Sequence, residues 1–337
     1  MSTIKNTVYR GMDGKVRQTT FDMPSELGPH EVLVKITHSG LCGTDIHGIA
    51  HGIALGHEGV GIVTAVGSSV TSYKVGDRAG GGFLRNSCGN CKYCLSGREI
   101  WCLDRNIFLF ADFNTGTFSD YYIGLDKFIY HIPDSIASEH AAPLQCAGAT
   151  VYSALVDNLE PGDRVGIVGM GGLGHLAVQF ANKLGAETVV FSTSRNKEAE
   201  ARGFGASEFV LLSELEKVQK PVDVVLIAGS QYPDWSKFLL NNVVARRARI
   251  IPLNAPPSTV ELPAESIFWQ GYDVVSSLVS SPKTHIEMLN FAGHHGIKPV
   301  IETFDMSEAG IAQALEKMEN GTIRYRGVLV NAEKPLP

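Results

Sequence analysis

Cys88, Cys91, Cys94 and Cys102 follow the spacing C-x2-C-x2-C-x7-C, which gathers four thiols into one short stretch of chain. Four thiolates complete a tetrahedral shell around one Zn2+ and leave no open position, so such a site adds stability and does no chemistry. The lobe, about residues 86–104, therefore reads as a structural zinc site, with Ser87, Gly89 and Gly97 letting the backbone wrap the ion. An iron–sulfur run starts the same way but continues C-x3-C-P, whereas here Leu103 follows Cys102. A redox dithiol needs only two cysteines.

The other two cysteines sit in different company. Cys42 opens Cys42-Gly43-Thr44-Asp45-Ile46-His47, shortly before Gly56-His57-Glu58, and Cys146 comes much later. Zinc that does chemistry keeps three protein ligands and one open position. Cys42, His57 and Cys146 offer those ligands, with Glu58 as a nearby carboxylate that exchanges with a substrate oxygen. A lone cysteine is more often a small buried hydrophobe, and a lone histidine a packed or surface side chain; the co-occurrence favours the metal. Thr44 and His47 provide a hydroxyl and an imidazole for a proton relay. Asp45 is the carboxylate expected to hold His57 in one tautomer. Two zinc ions per subunit are expected, one catalytic and one structural.

A third group has phosphate-binding spacing. Gly169-Met170-Gly171-Gly172-Leu173-Gly174 follows the apolar run Arg164 to Val168 and opens a helix carrying Leu176, Ala177, Phe180 and Leu184. That context gives G-x-G-x-x-G its meaning: the glycines let a pyrophosphate approach the backbone at a helix N-terminus. An NAD site ends the next strand in Asp or Glu. Here Phe191 leads into Ser192-Thr193-Ser194-Arg195-Asn196-Lys197, where hydroxyls and two cations suit a 2′-phosphate. NADP(H) is favoured over NAD(H), against the plain reading of Arg195 and Lys197 as solvated loop residues.

Two kinds of scaffold must position these groups. The first 140 residues read as short strands and turns, with Glu31 to Ile36 and Gly59 to Gly67 as clear examples. After Pro161-Gly162-Asp163, strands alternate with helices through Thr188 to Phe191, Val222 to Ile227, Ala248 to Leu253 and Val274 to Val279, an α/β pattern with a doubly wound parallel sheet. From about 283 the chain returns to helices and loops: His285 to Gly293, then Ser307 to Asn320 with Ser307 as N-cap and Gly321 as stop. Gly327 to Val330 is a closing strand expected to rejoin the N-terminal region. The domains are thus expected at 1–146 with 284–337, and at 147–283.

The 337 residues are 44% hydrophobic and 19% charged, with a net charge of −6. That composition fills two cores and argues against nucleic acid or an anionic membrane as partner. No membrane span or secretory signal is read from the sequence, so a cytoplasmic location is expected and metal is favoured over disulfides.

Taken together, these motifs resemble the zinc-dependent alcohol dehydrogenases of the medium-chain dehydrogenase/reductase superfamily, closest to the NADP-dependent cinnamyl-alcohol-dehydrogenase-like branch. The similarity runs over essentially the whole chain and includes Gly56-His57-Glu58-Gly59-Val60-Gly61, Cys146-Ala147-Gly148-Ala149-Thr150-Val151-Tyr152 and Ile323-Arg324-Tyr325-Arg326. It implies a GroES-like, mostly β catalytic domain in two pieces around a Rossmann domain. By the same resemblance, Cys42, His57 and Cys146 ligate the catalytic zinc, Thr44 and His47 form the relay, Thr150 lies near the nicotinamide and Arg324 near the pyrophosphate. A homodimer pairing strands near Val274 to Val279 is also implied. The implied reaction is reversible hydride transfer between NADP(H) and an alcohol/aldehyde or ketone pair. Reduction of a conjugated alkene or iminium, and a non-enzymatic binding protein on the same fold, are the alternatives. The stretch Gly48 to Gly56 is shorter than most relatives carry, so a pocket mouth of different shape is expected. His51 reads as solvated, and Phe108 and Phe110 as pocket or core.

Overall fold

The computed structural model of the chain describes residues 3–110, 112–240, 242–254 and 259–331. These divide into two compact units: one runs to Ala149 and resumes at Ser280, the other is Thr150–Val279.

The first unit is built on a seven-stranded sheet. Its order is Ile301–Asp305, Arg326–Val330, Glu31–Leu41, Gly59–Val66, Arg78–Gly81 and Ile129–His131, with Tyr121–Leu125 also paired to Glu31–Leu41. Val32, Val34, Ile36, Val60, Val63 and Ala79 are buried in its core. Arg326–Val330 lies antiparallel to Glu31–Leu41, with Gly327 opposite Leu41 and Val330 opposite His38. This long-range pairing carries Arg326 to the end of the strand that leads into Cys42. Its other neighbour, the parallel strand Ile301–Asp305, falls where the sequence pattern suggests only helices and loops. The half-exposed strand Ile301-Glu302-Thr303-Phe304-Asp305 shows no alternation of apolar and polar residues, so no period-2 signal marks it.

Helices then close the unit. Pro282–His295 is longer than expected at both ends, with Pro282 in the first turn, where its missing N–H has no intrahelical role, and left-handed Gly296 as C-cap. Glu308–Glu319 begins as expected: the Ser307 side chain accepts a hydrogen bond from Gly310 N at 3.1 Å.

The second unit is a six-stranded parallel sheet ordered Glu208–Leu211, Glu187–Ser192, Arg164–Val168, Val222–Ile227, Val244–Pro252 and Asp273–Val274. In chain order this is 3-2-1-4-5-6, the doubly wound arrangement of dinucleotide-binding sheets. Its inner strands are buried on both faces: Val189, Phe191, Val225 and Ile227 lie on one side, and Ile167, Val190, Val224 and Leu226 on the other. The expected strand Val274 to Val279 is corrected to Asp273–Val274. It is an edge strand with a single neighbour; after Val275 N donates to Ile250 O at 2.9 Å, the chain leaves the ladder. The strand expected at Ala248 to Leu253 spans Val244–Pro252, with an irregular register between Val222 and Val224. Among the described residues no helix is long and apolar enough to cross a membrane.

Candidate active site and metal centres

Cys42 follows the long strand Glu31–Leu41 and is the N-cap of the short helix Gly43–Ala50. Asp45 lies in the first turn of that helix and is fully buried. Its carboxylate accepts from Cys42 N at 2.9 Å and Gly56 N at 3.0 Å, and meets His57 Nδ1 at 3.1 Å. One acid thus ties the Cys42 turn to the chain just before His57. Cys146 arrives from another direction, on the π-helical turn Leu144–Gly148. Ligand atoms of Cys42, His57, Glu58 and Cys146 all lie within 4.8 Å of one another.

His57 Nε2 is the telling atom. It is buried and has no hydrogen-bond partner, which is costly for a polar group unless something else satisfies it. Burial alone pushes the imidazole down, but the charges of Asp45 and Cys42 overcome this and raise it to about 10. Hydrogen bonding from Cys146 holds the Cys42 thiol well below its usual range, while Cys146 is pushed up. Two sulfurs and one imidazole nitrogen suit Zn2+.

Glu58 is fully buried, and both its oxygens accept from Arg326 Nη2, at 2.5 and 2.6 Å. Burial pushes this carboxyl up to about 7, against the pull of Arg326. On the other side of His57, Phe108 stacks on the imidazole at 4.6 Å, and Phe83 meets it edge-on at 5.7 Å. Phe108 is thus core packing, with Arg85 over its ring at 5.6 Å, whereas Phe110 is 82% exposed. Thr44 Oγ1 lies 3.6 Å from Cys42 Sγ, and His47 is exposed on the last turn of its helix. The shortened stretch is tied down: Ala54 N donates to Phe113 O, and Leu55 N to Tyr9 O, both at 2.8 Å. His51 is exposed.

The second cysteine cluster wraps a short helix, Lys92–Leu95. Sulfur separations are 3.6 Å for Cys91–Cys94, 3.9 Å for Cys88–Cys94 and 3.5 Å for Cys88–Cys102. A tetrahedron with Zn–S bonds of about 2.3 Å has S···S edges of about 3.8 Å, so the four sulfurs are spaced for one zinc. None of the six cysteines forms a disulfide.

In the second unit, the glycine turn has three distinct local reasons. Gly169 has φ +96°, and a Cβ there would run into Gly229 at 2.5 Å. A Cβ on Gly174 would strike Gly169 O, so that glycine allows close helix–strand packing. At Gly171 a Cβ would meet nothing, leaving open space where a pyrophosphate needs to approach. Gly172 and Leu173 complete the turn before the helix Gly174–Lys183. Lys197 Nζ donates to Met170 O at 3.1 Å, bringing a cation to the turn. Ser192 ends its strand, and Thr193 and Ser194 are exposed beyond it. The sequence has no carboxylate between Phe191 and Lys197, yet the fold supplies two: Arg195 pairs with Glu198 at 2.9 Å and Glu214 at 2.6 Å. Thr150 is buried on the helix Ala149–Val156, which continues from the turn bearing Cys146.

Residues 28–134 match the alcohol dehydrogenase GroES-like domain. A probable formaldehyde dehydrogenase of Bacillus subtilis is 36% identical over 94% of this chain and 94% of its own. The chain belongs to the alcohol dehydrogenases of the medium-chain dehydrogenase/reductase superfamily. Among solved structures, a cinnamyl alcohol dehydrogenase from Sorghum bicolor superposes with TM-score 0.89 at 32% identity, covering 97% of this chain and 98% of that one. A Helicobacter pylori cinnamyl alcohol dehydrogenase, solved with NADP(H), gives TM-score 0.87 at 26% identity over 98% and 99%. The fold is therefore a GroES-like domain joined to a Rossmann-type domain, and this alcohol dehydrogenase is an enzyme.

Two features of this dehydrogenase escape sequence reasoning. Arg326 is the ion-pair partner of Glu58, although its only sequence signal is the run Ile323 to Arg326 quoted for the family. Phe108 packs on His57, where sequence leaves pocket and core equally open. Arg324 sits in the first unit, its backbone N–H donating to Glu302 and its guanidinium 5.5 Å from the Tyr325 ring centroid.

Proposed function

We propose that this alcohol dehydrogenase is zinc-dependent and NADP(H)-linked, interconverting an alcohol with its aldehyde or ketone. The observation that carries the reading is the convergence of Cys42, His57 and Cys146 around the buried, unpartnered Nε2 of His57. When bound, Zn2+ supplies a Lewis acid and NADP(H) the hydride.

The rest is done by the chain. Cys42, His57 and Cys146 hold the catalytic ion, and Asp45 keeps the His57 lone pair on Nε2 by accepting from Nδ1. Arg326 holds Glu58 at the edge of the ligand set. Thr44, beside Cys42, takes or returns the substrate proton, and exposed His47 passes it to solvent. Cys88, Cys91, Cys94 and Cys102 hold a second ion that shapes the lobe. Gly169, Gly171, Gly172, Leu173 and Gly174 receive the pyrophosphate, with Arg324 as a further anion partner and Thr150 near the nicotinamide. Ser192, Thr193, Ser194, Arg195 and Lys197 recognise the 2′-phosphate.

A homodimer belongs to the same reading. Phe268, Trp269 and Val274 are 76%, 70% and 51% exposed beside the free edge of the parallel sheet, more apolar surface than one chain covers. Six unoxidised cysteines grouped as metal ligands fit a reducing, cytoplasmic compartment.

The test is to follow nicotinamide absorbance with a panel of aldehydes, ketones, enones and iminium compounds, before and after metal removal. Carbonyl reduction that needs metal and prefers NADPH is the expected result. Enone or iminium reduction that survives complete metal removal would overturn the reading.

A further inference from the structure

The helix Pro282–His295 buries an imidazole against the turn that carries Cys146. His285 is 3% exposed, and its ring lies flat on Tyr130 at 3.8 Å with planes 12° apart. Its Nε2 faces Gln145 Oε1 at 3.1 Å, and its Nδ1 faces Ser280 Oγ at 3.4 Å. Gln145 is 1% exposed and immediately precedes Cys146.

The direction of each bond follows from the last. Gln145 Nε2 donates to Ala141 O at 3.0 Å, which turns its amide oxygen toward His285. That oxygen only accepts, so His285 carries its proton on Nε2, and Nδ1 accepts from the Ser280 hydroxyl. The result is a one-way chain from Ser280 through His285 and Gln145 to the Ala141 carbonyl, closed off from water. Gly80 packs against the same amide: a Cβ there would sit 3.1 Å from the Gln145 amide carbon.

Gln145 lies in a π-helical turn, where the hydrogen-bond ladder widens from i−4 to i−5 and backbone groups at the junction lose their usual partners. Such a turn is held by side chains more than by its own ladder. The Gln145 amide does this here, and His285 holds the amide. An apolar pair would fill the space without desolvating four polar groups, yet the polar set stands one residue from a metal-ligand position.

We propose that His285 is a positioning residue for Cys146: through Gln145 it fixes the π turn and thereby where the Cys146 sulfur points. This rests on the reading of Cys146 as a ligand of the catalytic ion. The imidazole touches neither ion nor substrate.

The experiment loads the full-length protein with Zn2+ or Co2+, then measures metal content, affinity and the thiolate-to-Co(II) absorption. His285→Phe keeps an aromatic ring on Tyr130 and removes the N–H; Gln145→Met keeps volume and removes the acceptor. Each should weaken one of two ions by about ten- to a hundredfold and shift its Co(II) band, the range for groups that orient metal ligands. The four-cysteine ion should stay unchanged, and the double variant should be no worse than the weaker single. If both variants bind the second ion with wild-type affinity and spectrum, the residues are structural only and the proposal fails, whatever happens to melting temperature. Additive losses in the double variant also sink it. Should His285→Phe not fold, Gln145→Met alone decides by the same readout. A wild-type chain that binds one ion only overturns the metal reading itself, and the proposal with it.

Discussion

Asp45 and His57 form a fully buried pair, the carboxylate meeting Nδ1 of the ring at 3.1 Å. A carboxylate can only accept, so the ring proton is confined to Nδ1 and the lone pair on Nε2 faces the two thiols. Asp45→Asn offers an amide N–H to Nδ1 and moves the proton to the face needed for metal. The expected loss is about ten- to a hundredfold in affinity for one ion, with the four-cysteine ion retained. Titration of metal content against a chelator checks this.

The two cysteine groups should separate activity from stability. Cys42→Ala or His57→Ala should abolish turnover and leave one ion per chain. Cys91→Ser should instead cost stability, by roughly 4 kcal/mol or more as for other lost structural metals. Melting curves and metal stoichiometry of the variants, side by side, decide it. An unchanged melting temperature with full metal in Cys91→Ser is the outcome against the assignment.

Arg195, held between Glu198 and Glu214, is expected to turn toward a 2′-phosphate when the cofactor binds. A hydrogen bond to a charged group is worth about 1.5–3 kcal/mol. Arg195→Ala should therefore raise KM for NADPH by about tenfold or more while leaving NADH kinetics alone. Equal effects on both cofactors would remove Arg195 from the recognition set.

Glu58 and Arg326 are buried together. Removing one partner strands the other, so Arg326→Met alone should destabilise by about 3–5 kcal/mol. The double variant Arg326→Met with Glu58→Gln should cost much less than the two single changes summed. Denaturant unfolding of the four proteins in the cycle measures the coupling.

Burial pushes His285 down to about 3. In the unfolded chain the ring takes up a proton near pH 6.5, while the folded protein keeps it neutral. Between these values the unfolded state binds more protons, so stability falls as pH drops below about 6.5, by about 2 kcal/mol at pH 5 from this group alone. His285→Gln should flatten that part of the curve. A pH–stability profile with the same slope in both proteins contradicts the assignment.

The parallel sheet is legible because its buried strands are near-continuous apolar runs: Val222 to Ile227 is broken only by Asp223, and Thr188 to Phe191 opens on a threonine. The edge is not. Asp273–Val274 has one neighbour, so its length depends on where that neighbour stops bonding, and the valines up to Val279 mislead. Ile301–Asp305 shows the reverse failure, a strand with no alternation that exists because Arg326–Val330 offers it an edge.

By itself, the sequence determines which residue types can do chemistry here. Cysteine spacing carries the four-sulfur lobe because all its ligands lie on one short loop, and G-x-G-x-x-G carries the phosphate turn because its reasons are local. Only tertiary structure decides what surrounds the other centre. Cys42 and His57 come from one stretch, Cys146 from a π turn, and Arg326 from a strand near the end of the chain. These are contacts between residues far apart in sequence, set by strand register and helix packing. No spacing rule could pair Glu58 with Arg326 or Gln145 with His285, since each pair depends on desolvating polar groups that find each other only in the folded core.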